Sequence, residues 1–207
     1  MALVKYNNNS ISDVTALAGV PAGALTHIKT ITASSDSTIS FVNGSSDVVL
    51  DGTYPVYKFV FINIHPASAN TELTFNMSAD TGSNYNVTKT TTFAQADHSE
   101  GGAGESIQYS TGDDLAQGTG FQNLTDVIDN DNDNSGNGFL LLFNPSSTTF
   151  VKHFISRGNG MYNGNYISDC LAAGYGNTTS AVDAVQFKMA SGNIDAGTIK
   201  LYGIKDS

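Results

Sequence analysis

Polar and apolar residues take turns along Thr26-His27-Ile28-Lys29-Thr30-Ile31-Thr32, and the same period of two returns in Thr38-Ile39-Ser40-Phe41-Val42-Asn43. A period of two sends successive side chains to opposite sides of a strand and cannot build the apolar stripe of a helix. Leu73, Phe75 and Met77 share one side of a third such segment, with Glu72, Thr74 and Asn76 on the other. Residues 54–64 are apolar at both parities, which suits a central strand covered on both faces. Further strands are expected over residues 86–93, 138–143, 149–156, 184–190 and 198–204, separated by turn clusters such as Asn43-Gly44-Ser45-Ser46 and the run from Ser191 to Gly197. Residues that furnish helix surfaces are scarce: charged residues make up only 14% of the chain and there is no tryptophan. The fold class is therefore all-β, an antiparallel β-sandwich, with a jelly roll favoured at 207 residues.

One short helix is written near the N-terminus. Ser10 and Asp13 stand at cap spacing, Ile11, Val14 and Leu17 fall on one face, and Gly19 and Pro21 follow as stop signals. At about two turns such a helix needs something to pack on, so residues 1–24 read as an arm or anchor, and residues 25–207 as one β-sandwich domain. Residues 100–137 read as a long loop with a short strand or turn near Ile107–Tyr109, and residues 157–166 as a second exposed loop.

Nineteen acidic residues against nine basic ones give a formal charge of −10, and Arg157 is the sole arginine. A nucleic-acid binder needs a basic stripe to displace counterions from phosphates, and this balance excludes one. No apolar run approaches the roughly 20 residues of a membrane span. The opening segment has no apolar signal core, so folding in a cytoplasm is expected. A lone Cys170 excludes an intrachain disulfide; with apolar neighbours on one side and no basic group, it reads as a small buried hydrophobe.

Asp129, Asp131 and Asp133 recur every second residue, as hard oxygen ligands do at the start of a Ca²⁺ loop. The match then departs: Asn134 occupies the glycine position of that loop and Leu140 the position of its bidentate glutamate. A Ca²⁺ site of another kind and a solvated Asn/Asp turn are the two readings. Asp97-His98-Ser99-Glu100 is the one place where an imidazole sits among acids; a base with an orienting carboxylate is one reading, and a polar loop entry after a strand ending at Phe93 is the favoured one. His65 reads as a strand-end cap, and His153 as facing the sandwich interior or a subunit contact. Nucleophile elbows and phosphate loops are absent from the sequence. Arg157, Tyr162, Tyr166 and Tyr175 lie in or beside an amide-rich segment; aromatic faces with amides serve equally for a neutral sugar or a protein partner.

The run from Leu142 to Arg157, with Asn144-Pro145-Ser146-Ser147 and Phe150-Val151-Lys152-His153-Phe154-Ile155, resembles a family of small structural proteins of marine tailed bacteriophages. So do Ala173-Gly174-Tyr175-Gly176-Asn177, the ending from Val185 to Ile204, the opening Leu3-Val4-Lys5 with Ser10-Ile11-Ser12-Asp13, and Gly112-Asp113-Asp114-Leu115. The resemblance implies a virion component with no catalytic residues and no cofactor. The expected role is a non-enzymatic structural protein on the exterior of the particle, as head decoration, fibre or tail component. Its expected partners are further copies of itself, with a trimer favoured, and other virion proteins. A host-surface glycan or receptor module is the alternative. A glycan-degrading tail spike ranks below it and would require a facing carboxylate pair, with Glu100, Asp113 and Asp114 the residues to replace.

Overall fold

Every element of the computed structural model, which describes residues 24–102, 104–162 and 165–205, is a strand. In chain order these are β1 (Leu25–Thr32), β2 (Ile39–Val42), β3 (Val56–Pro66), β4 (Leu73–Ser78), β5 (Lys89–Ser99), β6 (Ser106–Tyr109), β7 (Gln122–Asn123), β8 (Gly136–Phe143), β9 (Lys152–Tyr162), β10 (Tyr166–Gly176), β11 (Ala184–Met189) and β12 (Ile194–Ile204). They form two antiparallel sheets, one of eight strands in the order β1-β12-β3-β8-β9-β10-β5-β6 and one of four in the order β2-β11-β4-β7. The two sheets pack face to face as a β-sandwich. The division is eight against four, and jelly-roll wiring is not established by it. The arm and helix expected over residues 1–24 lie outside the described residues, apart from residue 24.

Aromatic rings fill the space between the sheets. Tyr57, Phe59 and Phe61 alternate inward along β3; Phe59 meets Phe41 of β2, and Phe59 and Phe61 meet Phe187 of β11. Phe187 is the hub, with ring centroids 5.2 Å from Phe59, 5.2 Å from Phe61 and 6.2 Å from Phe41, all edge to face. Phe154 of β9 reaches across to Phe75 of β4 at 4.8 Å. Such pairs add about 0.5–1.5 kcal/mol each beyond the burial of the rings. In β4 the polar parity is buried as well as the apolar one. Asn76 faces away from the core, yet its amide donates to the carbonyls of Tyr85 at 2.6 Å and Thr119 at 3.0 Å, in segments that cover the small sheet. Among the described residues no buried side-chain N or O atom lacks a hydrogen-bond partner.

Several segments differ from the sequence expectation. Strand β5 does not stop at Phe93 but runs to Ser99, so Asp97-His98-Ser99 is strand and not a loop entry. Residues 157–162 are not an exposed loop but the end of β9, and β10 starts at Tyr166. Glycine usually marks a turn, but Gly158 and Gly160 serve a close approach instead. A Cβ on Gly158 would lie 2.4 Å from the Leu124 carbonyl oxygen, because residues 124–128 cross directly over β8 and β9. Leu124 and Ile128 are wholly buried there. That part of the 100–137 segment is a wall of the core and not an exposed loop.

Candidate interaction face

In an antiparallel ladder directly paired residues point to the same side, so the registers fix which side chains share the outer face of the large sheet. One row runs Tyr109, Ala94, Leu171, Arg157, Phe139 across β6, β5, β10, β9 and β8; the next runs Ile107, Ala96, Asp169, Asn159, Asn137. Among the described residues, six of the seven large apolar side chains that remain exposed are on this face: Leu25, Ile107, Tyr109, Ile155, Ile167 and Leu171. Phe150, in the turn before β9, is the seventh. Ile107 is the extreme case at 89% exposed. Toward the other end, Thr92, Phe143, His153, Ile155, Ala173 and Tyr175 surround a concavity of ≈ 420 Å³, with His153 and Tyr175 tilted against one another at 5.9 Å.

The four residues expected to form one partner surface are split between the faces. Arg157 and Tyr175 are outward-facing. Arg157 donates from Nε and Nη2 to Asp169, with Nη2 to Oδ2 at 2.7 Å, so the sole arginine is engaged in a two-pronged pair. Tyr162 of β9 and Tyr166 of β10 pair on the inner side, stacked at 5.2 Å and 24°. Below them the buried Ser168 hydroxyl lies between the carboxylates of Asp97 and Asp126, 3.0 Å from the latter. Gln95 Nε2 donates to both, at 3.1 and 3.3 Å. Burial first, and then these two carboxylates, hold the Tyr162 phenol above its usual range. The cluster ties the crossing segment to β5 and β10 through neutral donors of the chain itself. Sequence reasoning missed it because Asp97, Asp126 and Ser168 are far apart in the chain and share no motif.

The Asp/Asn segment is a turn. Asp131 carbonyl accepts from Asn134 N–H at 2.9 Å, Asp129 Oδ1 accepts from the adjacent Asn130 N–H at 2.8 Å, and Asp131 and Asp133 face solvent. Among the described residues no group of three or more His, Cys, Asp or Glu side chains converges as a cation would require, so Asp129, Asp131 and Asp133 are not drawn together around a Ca²⁺ position. His65, at the end of β3, bonds through Nδ1 to the Asn134 carbonyl at 2.8 Å and pins this turn. His153 is exposed on the outer face and not interior, because Lys152 and Phe154 take the inward parity. Cys170 is fully buried, its sulfur accepting from the Asp126 N–H at 3.1 Å, and burial pushes its thiol up to about 12. Of the acids named for a glycan-degrading reading, Asp113 is held by Ser110 and by Asn123 at 2.7 Å, and Asp114 by the Tyr109 hydroxyl.

The feature left without an internal purpose is the outer face itself. Exposed apolar area gathered on one side of a domain calls for an account, whereas scattered residues would need none. No protein-family model, curated protein or solved structure matches this chain. The functional reading therefore rests on the face and on the sequence.

Proposed function

We propose that the protein is a non-enzymatic structural component of a bacteriophage particle, displayed on its exterior and working through contact between subunits. The observation that carries this reading is the concentration of exposed Ile107, Tyr109, Ile155, Ile167 and Leu171 on one sheet face. A rigid sheet presents such a face without mobile parts, as an assembly contact needs. The sequence resemblance to phage structural proteins supplies the setting, and the acidic charge suits a position away from packaged DNA. The test is labelling of intact, purified phage particles with an antibody raised against the chain. Decoration of whole particles is expected; unlabelled particles beside free protein in the lysate overturn the reading.

A second reading, a host-surface glycan module, draws on the stacked Tyr162–Tyr166 pair beside Asp97 and Asp126. Aromatic faces next to carboxylates are suited to sugar hydroxyls and ring C–H groups. Because the chain has nine tyrosines and no tryptophan, titration with host polysaccharide while following tyrosine fluorescence tests it, with Tyr162→Ala as the control.

A further inference from the structure

We infer that the outer face of strands β6, β5, β10, β9 and β8 packs against the same face of a second copy of this chain, forming a two-fold pair. The inference rests on the subunit-contact reading above and names the partner and the surface.

Charge is the first argument. On a chain of net charge −10, two copies repel unless they meet where the acids are missing. Asp169 is the one carboxylate that these five strands carry on the outer side, and Arg157 neutralises it. Lys58, on the neighbouring strand β3, lies over the Phe139 ring at 5.0 Å on the same face. Glu105 and Asp114 stand only at the β6 margin, each held by a ring group, His98 at 3.6 Å and the Tyr109 hydroxyl. A strongly basic partner would be drawn to the acidic turns instead. A face whose single carboxylate is neutralised by Arg157 suits a copy of itself.

Shape is the second. Strand β5 places Ala94 between Tyr109 of β6 and Leu171 of β10, and Ala96 between Ile107 of β6 and the Arg157-paired Asp169 of β10, while His98 faces Ile167 beyond the two alanines. The face is thus a methyl-floored groove between two ridges, and a ridge of one copy fits the groove of the other. A contact made by one patch with itself is isologous and closes at two subunits, so the pair replaces the trimer expected from sequence. Size is the third. Five strands at about 4.8 Å spacing and eight residue steps of about 3.4 Å outline on the order of 650 Å² in projection. Side-chain relief brings that close to the ~800 Å² per partner that stable complexes bury. Facing sheets at about 10 Å would reproduce the packing already used inside the subunit.

The experiment is light scattering on the full chain at micromolar concentration, with Ala94→Glu and Leu171→Glu beside the wild type. Ala94 is half-buried and Leu171 exposed on the outer surface, and a melting curve on each variant checks that the fold is kept. A wild-type mass twice the 21.7 kDa of the chain, falling to one chain in both folded variants, is the expected result. A pair that survives both substitutions overturns the inference, because it must use another surface. A wild-type monomer overturns it too. If that monomer also fails to bind an apolar dye, the face is covered from within the chain, with residues 1–23 as the occupant. A monomer that still labels on phage particles removes the pair and leaves the structural role standing, so the two failures are distinct.

Discussion

Lys89 is completely buried, and its ammonium meets only neutral acceptors, Asn76 Oδ1 at 2.5 Å and the Val87 carbonyl at 2.8 Å. Desolvation brings it down from its ordinary 10.5 to about 7. The unfolded chain then holds a proton that the folded one has released between about pH 7 and 10.5. Stability consequently rises with pH through that window, by at most about 1.4 kcal/mol per unit. Replacing Lys89 with Met should raise the urea midpoint at pH 7 and flatten its dependence between pH 7 and 9. Asn76 Oδ1 keeps the Met77 N–H at 2.9 Å, so the substitution does not strand it. Urea titrations at pH 6.5, 8 and 9 check this; a variant less stable than wild type at all three would show that the lysine contacts outweigh the desolvation. Nothing in the sequence marks Lys89 as buried, since its neighbours are threonines and its cover comes from loops distant in the chain.

At the scale of elements, β9 and β10 show what alternation reveals and what glycine conceals. Residues 152–156 read as strand because Phe154 and Ile155 are apolar, and the reading stops where Arg157-Gly158-Asn159-Gly160 begins. Those glycines lie on the inward parity, where Leu124 and Ile128 leave no room for a side chain. Gly158→Ala should therefore lower stability by about 1–3 kcal/mol, the usual penalty for overpacking a filled interior. Asn159→Ala, one residue on and pointing away from residues 124–128, should lower stability far less. Equal effects from the two would remove the account of the crossing segment. Strand β10 escaped a local reading for a related reason: Ala172, Ala173 and Gly174 have low strand propensity, and their place is set by pairing with β5 and β9 on either side. The candidate residues suffered most from this, because a one-residue change of parity put Arg157 outside and Tyr162 inside.

For the molecule as a whole, four buried groups shape the alkaline limb of stability. Lys89 raises stability from about pH 7 to 10.5, and burial acts in the same sense on Lys152. Cys170 opposes it: its thiol is pushed from an ordinary 9.0 to about 12, so the folded state keeps a proton that the unfolded one loses, and stability falls across that interval. Tyr57, raised by burial from 10.0 to about 12, acts likewise over its own range. The expected profile climbs by about 2 kcal/mol from pH 7 to 9, levels off to about 10.5 where the slopes cancel, and declines above that. Chemical denaturation across pH 7–11 tests it; a steady decline from pH 7 would show that Lys89 is solvated.

By itself the sequence determined the class of structure. Period-two alternation, scarce helix formers and turn clusters leave an antiparallel sandwich as the way to bury Phe41, Phe59, Phe61 and Phe187 together. These are local or additive properties, readable a few residues at a time. Only the tertiary structure decided the division into eight and four strands, the separation of Tyr162 and Tyr166 from Arg157 and Tyr175, and an outer face whose one strand carboxylate, Asp169, is neutralised by Arg157. Each depends on registers between strands tens of residues apart, where the identity of the facing neighbour, and not the local pattern, settles which side chain meets water.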